Sequence, residues 1–122
     1  MITTITQTLD HVLETDPGRM AVEGPSGRLS YEGLDSAANA AAAALRDLGV
    51  KPGDRVAASL PNDLGIVVAF HGAMRLGAIW VGINRNLAAP EKEVLLAAAD
   101  PAVYLAEPAT DWHALTTPAN RL

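Results

Sequence analysis

Arg55-Val-Ala-Ala-Ser-Leu60 opens the part of the chain that decides its fold, and Ala78-Ile-Trp-Val-Gly-Ile83 and Ala102-Val-Tyr-Leu-Ala106 repeat its pattern. Each is a mostly apolar run of five or six residues, too continuous for a strand with one wet face. The segments between them read as helices. Buried strands alternating with helices are the pattern of a parallel sheet covered on both faces. The first helix is expected over residues 63–76, capped by Asn62 and closed by Gly77. The second is expected over residues 90–99, with Pro90 at its first position and Glu91 and Glu93 near its positive N-terminal end. Right-handed crossovers then join three adjacent strands. The predicted class is α/β, a three-layer, mainly parallel sheet flanked by helices.

Upstream, residues 8–14 place Leu9, Val12 and Leu13 on one face of a short helix that stops before Asp16-Pro17-Gly18. Residues 20–23 and 28–30 flank Gly24-Pro25-Ser26-Gly27, which reads as a β-hairpin. Ser30 then caps a helix whose apolar positions Leu34, Ala38, Ala41, Leu45 and Leu48 recur at steps of four and three. Gly49 suits the left-handed residue that ends it, and Lys51-Pro52-Gly53-Asp54 turns the chain toward the first strand. The small residues 40–44 offer that helix a smooth face for close packing on the sheet. Residues 108–122 contain turn formers and no period, so an irregular tail is expected there.

Composition narrows the function. With 122 residues, 49% apolar and 19% charged, the chain holds enough material for one core and one domain. A net charge of -5 without a basic cluster removes the footprint of nucleic-acid binding. No cysteine means no disulfide and no thiolate chemistry, and the expected location is the cytoplasm. Residues 64–83 are the most apolar stretch, yet they carry His71, Arg75 and four glycines. An arginine at bilayer depth costs about 2.5–3.5 kcal/mol, so no membrane span is expected.

Ligands of an open parallel sheet bind outside the carboxyl ends of its strands. Those ends are Pro61-Asn62-Asp63, Asn84-Arg85-Asn86 and Glu107-Pro108. Asn62 and Asp63 are accounted for as a helix cap and a first-turn acid. Arg85 between two asparagines suits an anion or a neighbouring domain, although such loop residues commonly satisfy nearby backbone. His11, His71 and His113 show no metal spacing, and His71 and Arg75 are expected on a solvated helix edge. Ser26, Ser30, Ser36 and Ser59 lack a nucleophile elbow. Neither common phosphate loop is present, and the only lysines, Lys51 and Lys92, follow no glycine-rich turn. No catalytic, cofactor-binding or metal-binding residue is therefore expected, and substrate-binding residues are not identified.

Four segments in order, Leu29-Ser-Tyr-Glu-Gly-Leu34, Leu48-Gly-Val-Lys-Pro-Gly-Asp-Arg-Val56, Leu60-Pro-Asn62 and Arg75-Leu-Gly-Ala-Ile-Trp-Val-Gly-Ile-Asn84, resemble the N-terminal region of adenylate-forming (AMP-binding) enzymes. Val81-Gly-Ile-Asn-Arg-Asn-Leu-Ala-Ala-Pro-Glu91 is most similar to the acyl-CoA synthetase branch, with Gly82 where that family generally has proline. The resemblance implies a parent enzyme that turns carboxylate, ATP and CoA into acyl-CoA, AMP and pyrophosphate, with ATP, Mg and CoA as its cofactors. It also implies that the phosphate loop, the adenine and magnesium motifs, the acyl pocket and the catalytic lysine all lie outside this sequence. On that reading, residues 1–107 are an N-terminal subdomain portion that serves as scaffold and is inactive on its own. An uncovered strand edge and apolar surface around Trp80, Ile83 or Val103 would then lead it to self-associate or to bind the remainder of the enzyme. The alternative is a stand-alone, non-catalytic α/β module that binds or scaffolds a partner.

Overall fold

A computed structural model describes residues 4–106. The expected irregular tail at 108–122, the pair Glu107-Pro108 and His113 lie outside them. After a 3-10 turn at Ile5–Gln7, α1 (Asp10–Thr15) starts two residues later than the expected helix at 8–14. Leu9 precedes the helix and is buried with Leu34, Ala41 and Val68. Strands β1 (Met20–Gly24) and β2 (Gly27–Ser30) form the hairpin. Gly24 pairs with Gly27, so the turn is only Pro25 and Ser26.

Helix α2 (Tyr31–Asp47) follows its sequence pattern closely. The Ser30 hydroxyl accepts the Gly33 N–H at 3.0 Å, and Leu34, Ala38, Ala41 and Leu45 are buried. Its end is a Schellman cap: Gly49 has φ 95°, its N–H donates to Arg46 O, and the Val50 N–H donates to Leu45 O. Strand β3 (Arg55–Ser59) leads to α3 (Leu64–Arg75), which ends in the same cap around Gly77. The N-cap of α3 is Asp63 and not Asn62. Asp63 is the last residue with extended backbone, and its Oδ1 accepts the Leu64 N–H at 2.8 Å. Strand β4 (Ile79–Gly82), α4 (Ala89–Ala99) and β5 (Val103–Ala106) complete the described chain. Helix α4 starts at Ala89, one residue before Pro90. It ends on Asp100 at φ 47°, and Arg55 Nη1 donates to the exposed Ala99 carbonyl at 2.8 Å.

The three later strands form a parallel sheet in the order β4-β3-β5. Both outer strands pair with β3 and not with each other. Alternation along β3 divides the core: Val56 and Ala58 join Leu45, Ala69, Ala73, Val103 and Leu105 beneath α2 and α3, whereas Ala57 meets Ile83 and Leu96 beneath α4. The result is three layers with α2 and α3 on one face and α4 on the other.

The small face of α2 packs on α3 and not on the sheet. A Cβ on Gly72 would lie 2.7 Å from Ala41 Cβ and 3.0 Å from the Ala42 nitrogen, so hydrogen is all that fits between these helices. The expected apolar surface also shifts. Ile83 is buried under α4 and Val103 under α2 and α3, while Trp80 packs edge-on against Phe70 with ring centres 5.5 Å apart. The exposed apolar side chains on this half are Ile79, Val94 and Leu95. Among the described residues no helix is long and apolar enough to cross a membrane.

Candidate functional site

The neighbouring strands β3 and β4 send their following chain to opposite faces of the sheet, β3 into α3 and β4 into α4. Loops that part in this way leave a crevice at the carboxyl ends of the two strands. A cavity of about 430 Å³ lies there. Ala58, Leu60, Ile66 and Ile83 give it apolar walls, and Asn62, Asn84, Arg85 and Asn86 give it a polar rim beside Gly82. Two of the three strand ends singled out from the sequence therefore share one site.

The rim is partly committed to its own backbone. Asn84 Oδ1 accepts the Asn86 N–H at 2.9 Å, and Asn84 O accepts the Leu87 N–H at 3.2 Å, a turn that spans Arg85. Asparagine amides and one guanidinium over apolar walls can hold a polar or anionic group at the end of a less polar one. Among the described residues, the cavity lining contains no hydroxyl, carboxylate, imidazole or amine. These residues are suited to binding and positioning a group.

Asp63 turns away from the crevice toward the hairpin. Its carboxylate accepts the Ser26 N–H (3.1 Å to Oδ1) and the Ser26 hydroxyl (to Oδ2) in addition to the Leu64 N–H. The Ser26 hydroxyl, then the Leu64 and Ser26 amides, hold its pKa below the ordinary carboxylate value, and it stays ionised at neutral pH.

Arg75 departs from the expected solvated edge. Its side chain is only 17% exposed, and Nη2 lies 2.8 Å from Asp35 Oδ1. Nη1 donates to Asp35 O at 3.0 Å and Asn39 Oδ1 at 2.6 Å. The residue fastens α3 to α2, because its guanidinium meets a carboxylate, a carbonyl and an amide oxygen of α2. His71, one turn earlier, is half-buried. Burial first, and the Arg75 charge second, lower its pKa below 6.5. Ser59 is buried at 2% exposure, with no hydrogen-bond partner for its hydroxyl among the described residues. Among those residues no group of three or more His, Cys, Asp or Glu is placed to hold a metal. The contacts of Asp63 with Ser26 and of Arg75 with Asp35 link residues 37 and 40 positions apart, and the only sequence signal for them was a polar residue on an otherwise apolar helix.

The family described as AMP-binding enzyme matches residues 9–121. The Mycobacterium tuberculosis (strain H37Rv) long-chain-fatty-acid–CoA ligase FadD13 is 44% identical over 69 residues, 57% of this chain and 14% of that protein. The salicyl-AMP ligase / salicyl-S-ArCP synthetase of the same strain is 45% identical over 84 residues, 62% of this chain and 15% of that protein. The crystal structure of the anthranilate CoA ligase AuaEII with anthranoyl-AMP superposes with a TM-score of 0.79 at 30% identity, over 83% of this chain and 20% of that one. The chain thus spans about a seventh of the length of the curated relatives it matches.

Proposed function

The chain belongs to the AMP-binding enzyme family, and we propose that residues 1–107 are the scaffold portion of an ATP-dependent acyl-CoA synthetase. The parent reaction joins a carboxylate to ATP, releasing pyrophosphate, and then moves the acyl group from the adenylate to the thiol of CoA. CoA is favoured as acceptor because FadD13 and AuaEII are both named as CoA ligases and the loop at residues 81–91 resembles that branch. The fatty acyl class rests on FadD13, against the aryl acids in the names of the other two.

One observation carries the scaffold role. The crevice is built by two of the segments that bear the family resemblance, at 60–62 and 75–84 with the loop that follows, yet none of the described residues in its lining is an acid–base or nucleophilic group. The described residues offer no cradle fitting a nucleotide triphosphate and its magnesium, so no chemical step is assigned to them. ATP, Mg and CoA belong on this reading to the remainder of the enzyme, which also covers the exposed apolar side chains Ile79, Val94 and Leu95. Without that cover the chain should self-associate. A cytoplasmic location follows from the same reading, since ATP and CoA are supplied there.

Two assays test it. The purified chain, given ATP, Mg and a panel of carboxylic acids, should show no pyrophosphate exchange above a boiled control, and exchange would overturn the scaffold role. A FadD13 whose matched segment is replaced by the 69 residues of this chain that align with it should keep its exchange activity. A folded graft without activity would speak against the equivalence.

A further inference from the structure

We propose that Ser26, Gly24 and Asp63 form a latch through which the β1–β2 hairpin sets the position of the crevice wall at residues 60–63. The inference rests on contacts in this chain and not on the enzymatic reading above. Capping α3 requires one carboxylate oxygen on the Leu64 N–H, and Oδ1 supplies it. The same oxygen also accepts the Ser26 N–H, and Oδ2 takes the Ser26 hydroxyl, so both oxygens of Asp63 grip the hairpin turn. The hairpin is shaped in return. A Cβ on Gly24 would sit 2.6 Å from Asp63 Oδ1 and 3.3 Å from its Cα, so only glycine lets the turn come this near.

The hairpin has a second anchor at its base. There the Tyr31 N–H donates to Arg19 O and the Glu32 N–H to Pro17 O, both at 2.9 Å, while Ala21 and Leu29 pack beside Leu9, Leu34 and Val68. A hairpin held at base and tip is a strap, and opening the tip leaves it attached but able to pivot. The tip contact falls one residue after Asn62, on the rim, and three after Leu60, in the wall. Movement of the strap is therefore carried straight into the crevice. Glu23 and Arg28, the charged side chains beside the turn, face each other at 3.7 Å and stay exposed. Asp63 is ionised at neutral pH, so both of its oxygens are acceptors for the hairpin turn.

Amide hydrogen exchange and side-chain NMR of the full chain test the latch. Ser26→Ala removes one donor from an exposed turn, Asp63→Ser keeps a hydroxyl cap without the two-oxygen grip, and Gly24→Ala pushes the carboxylate away from the hairpin side. In each variant the paired amides of β1 and β2 should exchange about tenfold faster, while those of α2 and β3 stay within about twofold of wild type. The side-chain amide signals of Asn62 and Asn86 should shift at the same time. Unchanged hairpin exchange in Ser26→Ala would overturn the latch. Faster hairpin exchange with unmoved Asn62 and Asn86 signals would overturn the coupling to the crevice and leave the contact as a local tie between hairpin and helix cap.

Discussion

The two faces of the parallel sheet are covered to different depths. Under α2 and α3, Leu45, Val56, Ala69, Ala73 and Val103 are 0% exposed. Under α4 the one buried helix residue, Leu96, is 9% exposed, and beside it Val94 and Leu95 stand 69% and 44% exposed. The difference lies in helix pairing more than in hydrophobicity, since α4 is itself largely apolar. Two helices that meet at Gly72 and Ala41 present a continuous surface to the sheet, whereas a lone eleven-residue helix covers one strip. Burial requires neighbours as well as apolar side chains.

Truncating each face should expose that asymmetry. Leu45→Ala empties a fully enclosed position and should cost about 2–5 kcal/mol in urea unfolding, against about 1 kcal/mol for Leu96→Ala, whose site can collapse or hydrate. Equal losses would mean that the faces contribute alike. Gly72→Ala comes next: overpacking costs about 1–3 kcal/mol and improved helix propensity returns about 1 kcal/mol. A net loss of about 1 kcal/mol, partly rescued by Ala41→Gly, would place the helix contact at this pair.

A smaller effect is expected from pH. His71 sits on the thick face with a folded pKa below 6.5. Between that lowered value and 6.5 the unfolded chain holds a proton that the folded chain refuses, so stability falls as pH drops through this window. Urea midpoints measured at about pH 7.5 and about pH 5.5 should therefore differ less in His71→Gln than in wild type. Smallest in stability is Val94→Lys, within about 0.5 kcal/mol, because the side chain is already in water. Its consequence should appear in association: light scattering of wild type should show species larger than one 12.7 kDa chain, and the lysine should reduce them.

Local order was legible in the sequence and long-range pairing was not. Ser30 with the steps from Leu34 to Leu45 gave away α2, and Gly49 and Gly77 marked two helix ends, because caps and periodicity act within a few residues. The strand ends at 61–63 and 84–86 pointed to the crevice, since parallel topology places them together. What escaped was what each polar residue touches. Arg75 resembles a solvated helix residue until α2 brings Asp35 and Asn39 to it, and Asp63 resembles a first-turn acid until the hairpin brings Ser26. The alanines of α2 showed a close contact but not that its partner was a helix containing glycine.

The order β4-β3-β5 places the strand that is made first in the middle. During synthesis β3 can pair with β4 as soon as α3 has formed, and its other edge stays open until β5 arrives. From Val56 the chain runs about twice as far to Val103 as to Trp80. Doubling a loop adds only about 0.6 kcal/mol of closure entropy, so the delay is one of time and not of affinity. A nascent chain stalled within α4 therefore holds a two-stranded sheet with one long side of β3 unpaired, the stage at which it is most open to capture by another strand.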